Sequence, residues 1–341
     1  MRWHDLYVAA TATWFPRRVT VEEALARGWY DHGELADTRQ AAVTVAEQPD
    51  EHPVEMASRA GRLALSRAAL DPARVGLLLH ATLFHQGVDI WNAAAYVQRR
   101  TGTVRARAFE LRQACNGGAA AVELAAEHLL ARPDHPAALV TTGDRFALPG
   151  FDRWRGDRGL LFGDGGTALV LSREGGFARL LATGSAGEPA LEGIHRGDTP
   201  FAPLSQTTPI DLVQRRKEFL ADADPEVVTT RLNAGQRRAV EVALADAGVT
   251  LGDLTWVVTP NFGWGLLHRQ CLDPLGLPVS RSTWEWGRTV GHLGPGDQIG
   301  GLDHLAYGQR LCAGDLVLLF GVGAGFAWTS VVLRILQPPH P

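Results

Sequence analysis

Arg112-Gln113-Ala114-Cys115-Asn116-Gly117-Gly118 runs straight into Ala119-Ala120-Ala121-Val122-Glu123-Leu124-Ala125-Ala126, and this junction organises the chain. A single cysteine stands between a polar turn and a strongly helix-forming run. A helix starting near Cys115 points unpaired N–H groups and its positive dipole end at the sulfur. That favours a nucleophilic thiolate. The competing reading is a packed thiol acting as a small apolar residue.

Outward from this junction the chain alternates buried-strand patterns with helical ones. Leu6–Ala10, Val75–Ala81, Arg105–Leu111, Ala137–Thr142, Phe177–Gly184, Leu254–Pro260, Asp315–Phe320 and Phe326–Leu336 read as strands, and Gly159–Leu171 as a glycine turn leading into another. Val21–Arg27, Pro53–Leu70, Trp91–Thr101, Cys115–Ala131, Leu212–Leu220, Val227–Ala247 and Leu266–Leu272 read as helices, and one more follows the glycine-rich segment Gly291–Gly301. Asp31–Glu51 is expected to be surface loops with short helices, and Ser185–Pro209 to be loop. The alternation predicts an α/β protein with helix-covered sheets. The comparable order of elements in 1–175 and 176–341 points to two related halves.

The 341 residues are 45% hydrophobic, enough for a large core. A net charge of −4 without a Lys/Arg block disfavours nucleic acid and membrane surfaces as partners. Three cysteines, Cys115, Cys271 and Cys312, make no disulfide framework and fit a reducing, cytoplasmic setting. No apolar run is long enough to span a bilayer. His292, Asp297, Asp303 and His304 match no standard zinc spacing, so no metal is expected. Gly321-Val322-Gly323-Ala324-Gly325 leads into a strand rather than a helix, so it is no dinucleotide fingerprint and no cofactor is expected. His80 and His85 flank a buried strand and read as core or pocket-wall residues.

Three segments together resemble the ketoacyl-ACP synthase III branch of the thiolase superfamily. They are the Cys115 elbow, Leu161-Phe162-Gly163-Asp164-Gly165-Gly166-Thr167-Ala168, and Gly321-Val322-Gly323-Ala324-Gly325-Phe326-Ala327-Trp328-Thr329-Ser330. The resemblance implies a duplicated, five-layered αβαβα thiolase fold, usually a homodimer, with the active site where the halves meet. The first half, 1–175, carries the cysteine. The second, 176–341, carries its partners and the glycine turn.

Condensing members of that family use Cys, His and Asn. Cys115 matches the first. After the strand Trp256–Val258 the chain reads Thr259-Pro260-Asn261-Phe262-Gly263, without the histidine. In Gly291-His292-Leu293-Gly294-Pro295-Gly296-Asp297 a histidine stands where the asparagine belongs, and an aspartate follows. Decarboxylative condensation needs two donors around the thioester oxygen where enolate charge develops. Thiol, imidazole and carboxylate are instead the parts of acyl transfer. The motif is similar to synthase III-like acyltransferases of antibiotic pathways; a related subgroup that primes polyketide synthases also carries His and Asp here.

The resemblance thus implies Cys115 as nucleophile, His292 as base and Asp297 as its orienting carboxylate. Backbone N–H groups of Cys115 and Ala324 would form the oxyanion hole. His195, Asn261, Trp264 and Trp286 are candidate substrate contacts. The expected partners are an acyl carrier protein or other acyl thioester donor and a small-molecule acceptor, a sugar or aminocyclitol. The acyl group could be an aromatic polyketide acyl such as 6-methylsalicylyl. Two other functions compete: a priming ketosynthase using malonyl-ACP, and a non-catalytic thiolase-fold partner of a polyketide synthase. Arg153, Arg155 and Arg158 are the arginines available to dock a carrier.

Overall fold

The computed structural model describes residues 1–201 and 209–339. The chain opens with β1 (Tyr7–Trp14), β2 (Arg17–Thr20), α1 (Val21–Ala26), α2 (His32–Thr38), β3 (Ala42–Val45), α3 (Pro53–Arg67), β4 (Val75–Ala81), α4 (Ala93–Thr101) and β5 (Arg107–Leu111). Then come α5 (Gly117–Ala131), β6 (Ala137–Asp144), β7 (Gly165–Ser172), β8 (Ala178–Gly187), α6 (Gly193–Arg196), α7 (Leu212–Ala221) and α8 (Pro225–Ala247). The chain closes with β9 (Trp256–Val258), α9 (Trp264–Leu267), α10 (Trp284–Gly287), α11 (Asp297–Tyr307), β10 (Leu316–Gly323) and β11 (Ala327–Ile335).

Nine strands form one sheet in the order β5-β4-β6-β7-β1-β8-β11-β10-β9. Pairings of β4 with β5 and β6, and of β9 with β10, are parallel; the others are antiparallel. The two wings are joined where β1 meets β8, at Tyr7↔Arg179 and Val8↔Ala178, with a further bridge at Arg2↔Ala182. That narrow seam lets the sheet fold back on itself around two helices. α5 touches β4 and β6 on one wing and β10 and β11 on the other, and α11 likewise touches β1, β7, β9 and β10. α3 covers the outer face of β1, β6 and β7, while α8 covers β8 and β11. The layers therefore read helix, sheet, helix, sheet, helix, which is the thiolase fold.

The composition of each helix follows its layer. α3 is amphipathic, with Val54, Met56, Ala57, Ala60 and Ala64 inward. α5 lies between two sheets, so its apolar residues need no single face. β4, β6, β7 and β10 are buried throughout, as expected of strands covered on both sides.

Several expectations need correction. Asp31–Glu51 is not all loop and helix, because Ala42–Val45 pairs antiparallel with Arg17–Thr20 as a small second sheet. Much of Gly291–Gly301 is helix, since α11 starts at Asp297 inside it. β8 runs three residues beyond Gly184, held by β11. Part of the loop expected over Ser185–Pro209 lies outside the described residues.

Candidate active site

Cys115 sits two residues before α5, after Ala114 in the left-handed region (φ 47°). The N–H of Asn116 donates to Gln113 O and that of Gly117 to Ala114 O, so a tight turn presents the sulfur at the helix start. Gly118 then allows α5 to abut the opposite turn: a Cβ there would lie 2.1 Å from Pro295 O. Pro295 belongs to the turn that carries His292 and Asp297.

His292 is fixed by its backbone as well as by its side chain. Its N–H donates to Leu161 O (2.8 Å), and its carbonyl accepts from Gly163 N–H (3.0 Å). The Leu161–Ala168 motif is therefore the strip against which the histidine is registered. Behind it, Asp164 accepts from the N–H groups of Ala46 and Phe146 and pairs with both terminal nitrogens of Arg153 at 2.7 and 2.8 Å. Arg153 is thus buried against Asp164 and is not available to dock a carrier. Arg155 and Arg158 are surface residues engaged with Gly28 O and Glu34.

His292 Nε2 lies 3.0 Å from Cys115 Sγ, and Nδ1 lies 2.5 Å from Asp297 Oδ2. The same carboxylate accepts the N–H of Asn261 through Oδ2 and that of Leu293 through Oδ1, both at 2.8 Å. An ionised carboxylate can only accept, so the imidazole proton facing Asp297 is on Nδ1. Burial alone would pull the His292 pKa down. The charge of Asp297 and that of the Cys115 sulfur outweigh it and hold the pKa well above the ordinary imidazole value.

A cavity of about 470 Å³ opens from this relay. Six phenylalanines line it: Phe84, Phe146, Phe151, Phe162, Phe262 and Phe326. Cys115, His292 and Ala324 are part of its wall. Ala324 lies in the β10–β11 turn beside the turn that carries Cys115: a Cβ on Gly323 would sit 2.6 Å from Gln113 O.

Of the four candidate substrate contacts, His195 lines the cavity. Asn261 does not: its amide nitrogen donates to Gly291 O, and the next residue, Phe262, supplies the ring that faces the cavity. Trp264 packs beside Trp284 and His268 under the Arg39 guanidinium. Trp286 is stacked on His304 next to Phe15. Neither tryptophan lines the cavity; each sits on a helix of four residues. His80 is a core residue bonded to Thr141 and Gln86, whereas His85 is exposed beside Asp89. Sequence reasoning missed the phenylalanine cage, although Phe146, Phe151 and Phe162 crowd one short stretch. It also missed the Asp157–Arg216 pair in the cavity wall.

Two family models match the chain: 3-oxoacyl-[acyl-carrier-protein] synthase III over residues 109–186, and the C-terminal part of that enzyme over 244–335. The chain belongs to the ketoacyl-ACP synthase III family of the thiolase superfamily and is a transferase-class enzyme. Among solved structures, the acyltransferase ChlB3 is 38% identical, with 98% of this chain and 99% of that one covered at a TM-score of 0.92. The beta-ketoacyl-[acyl-carrier-protein] synthase III of Thermosynechococcus vestitus is 29% identical over 303 residues, 84% of each chain. The priming β-ketosynthase of the R1128 polyketide pathway shares the fold at a TM-score of 0.75, with 23% identity and 99% and 98% of the two chains covered. Among the described residues, no helix is long and apolar enough to cross a membrane.

Proposed function

We propose that this enzyme transfers an acyl group from an acyl carrier protein or other thioester donor, through Cys115, to a hydroxyl or amine of a small molecule in antibiotic biosynthesis. The observation that carries this reading is the continuous Cys115–His292–Asp297 relay combined with an Asn261 side chain turned away from it. The relay can make a nucleophile and a base. Among the described residues, Asn261, which stands where condensing relatives are expected to place a second donor, gives its side-chain amide to Gly291 O and does not line the cavity that would hold a malonyl enolate. The 38% identity to the acyltransferase ChlB3 supports the same choice.

The chemistry balances within these residues. The Cys115 sulfur adds to the donor carbonyl, and its oxyanion lies toward the N–H groups of Cys115 and Ala324. The donor C–S bond breaks, and the leaving thiol takes the proton from His292 Nε2. Acylation removes the sulfur charge, one of the influences that keep His292 protonated. The imidazole is then free to take the acceptor proton while Asp297 stabilises it. The acceptor oxygen or nitrogen adds, the acyl–sulfur bond breaks, and Cys115 recovers its proton.

The phenylalanine wall suits an aromatic acyl group such as 6-methylsalicylyl. Phe109 and Val104 are exposed at the β5 edge of the sheet, which is consistent with a homodimer paired there. Three free thiols fit a cytoplasmic enzyme.

Intact-protein mass after exposure to acyl thioesters, followed by a hydroxyl or amine acceptor, tests the reading. We expect wild type to gain the acyl mass, Cys115→Ala to gain none, and the acceptor to discharge it without CO₂. The curated relatives named as synthases favour a second reading, a priming ketosynthase. Discharge only by malonyl carrier with CO₂ release would establish that instead. Absence of any acylation would leave a non-catalytic partner of a polyketide synthase.

A further inference from the structure

The cavity has one polar wall that the relay does not use. His195 stands on it deep in the protein, with part of its ring open to the cavity, and its Nδ1 has no hydrogen-bond partner among the described residues. Its neighbours are charged. Arg216 Nη2 donates to both oxygens of the buried Asp157 at 2.7 and 3.0 Å, and Arg215 donates to His195 O at 3.2 Å. Burial and these two arginines push the His195 pKa down to about 4, so the ring is neutral and offers one donor and one acceptor nitrogen. Glu218, the carboxylate near Arg215, is turned outward to Gln214 and the Asp198 N–H. The wall therefore carries two guanidinium groups against one carboxylate.

Arg216 and Leu220 line both the cavity and a shallow depression on α7. Nδ1 itself is covered, so an acceptor meets the part of the His195 ring that faces the cavity. The excess positive charge repels an ammonium group and tolerates a neutral hydroxyl.

Resting on the acyl-transfer reading, we propose that His195, with Arg215 and the Asp157–Arg216 pair behind it, forms the acceptor subsite and selects a neutral, hydroxyl-bearing acceptor over a protonated amine, so that the product is an ester. His195 is a specificity-determining residue that binds the acceptor and takes no part in loading Cys115.

The test separates the half-reactions. Wild type, His195→Leu, His195→Gln and Arg215→Gln are loaded from an aromatic acyl N-acetylcysteamine thioester. Each is then discharged with methyl glucopyranoside or glucosamine at neutral pH, followed by intact mass. Failure of wild type to load refutes acyl transfer itself, and this subsite with it. With loading intact, we expect wild type to prefer the glucoside. His195→Leu should load within twofold of wild type but need about tenfold more glucoside for half-maximal discharge, the scale of one lost hydrogen bond. His195→Gln, which keeps a donor and an acceptor, should recover most of this. Arg215→Gln, which removes one positive charge while keeping the His195 ring, should shift preference toward glucosamine. Slowed loading in His195→Leu would assign the wall to the donor arm and overturn the proposal. Unchanged discharge, preference of wild type for glucosamine, or no discharge by either probe would also overturn it.

Discussion

Asp297→Asn is the sharpest perturbation of the relay, because every bond the carboxylate makes is specified. Oδ2 takes the His292 Nδ1 proton and the Asn261 N–H, and Oδ1 takes the Leu293 N–H. Asparagine offers one carbonyl and one NH₂ in the same space. With the carbonyl toward His292, the NH₂ confronts the Leu293 N–H. In the other orientation it confronts Nδ1 and Asn261, and the imidazole must move its proton to Nε2, where it can no longer accept one from sulfur or acceptor. Either way at least one buried donor is stranded and the imidazolium loses its counter-charge, a cost of about 3–5 kcal/mol in stability. The loss in acyl transfer should be on the order of 10²–10⁴-fold, the worth of a correctly poised base. The pH dependence has a definite sign. The His292 pKa is raised in the folded protein, so its ion-pair contribution is complete below the unfolded value of 6.5 and is lost as pH rises through the raised value. The stability gap between wild type and Asp297→Asn should therefore narrow as pH climbs. Rapid-quench acylation with intact-mass readout, and urea unfolding across pH, measure the two effects. Transfer by Asp297→Asn within threefold of wild type, or a gap that widens with pH, would refute the reasoning.

Three further changes probe the supports of the site. Gly118→Ala drives a Cβ to within 2.1 Å of Pro295 O, so we expect a loss of about 3 kcal/mol or more in urea unfolding, together with slower acylation as α5 parts from the His292 turn. Arg153→Met leaves the buried Asp164 without its cation and should cost about 3–5 kcal/mol by the same measurement. Gly323→Ala pushes the β10–β11 turn off Gln113 O and displaces the Ala324 N–H, so acylation should fall by roughly 10²-fold, read by quenched mass analysis, while the fold is retained.

Strands such as Val75–Ala81 and Ala137–Thr142 were legible because burial on both faces writes them as continuous apolar runs. β3 was not, because a four-residue strand in a mixed polar stretch owes its existence to its partner β2. The start of α11 was hidden for a related reason. Gly300 and Gly301 weaken helix propensity, but a Cβ on them would lie 2.9 Å from the Trp286 ring and 2.4 Å from Val258, so close packing selects glycine inside a helix. At the site, the spacing of His292 and Asp297 showed which groups could meet. It could not show that Trp264 and Trp286 stay off the cavity wall, because that depends on helices of four residues each.

On the acyl-transfer reading proposed above, Asn261 marks the departure from condensation, and Asn261→His tests it directly. The position follows β9, where condensing relatives are expected to place their histidine. Here its backbone N–H supports Asp297 and its side chain ties Gly291, the residue before His292. The amide is also wedged against Gly287, where an added Cβ would lie 2.5 Å from Asn261 Oδ1. A larger imidazole has no room in that wedge, and reaching the cavity would displace Phe262 and release Gly291. We therefore expect Asn261→His to be destabilised and slower in acyl transfer, and to release no CO₂ from a malonyl thioester. CO₂ release by this variant would mean that a single side chain separates the two chemistries. The local packing argues instead that the support of the base and the loss of the second donor are one feature of the fold.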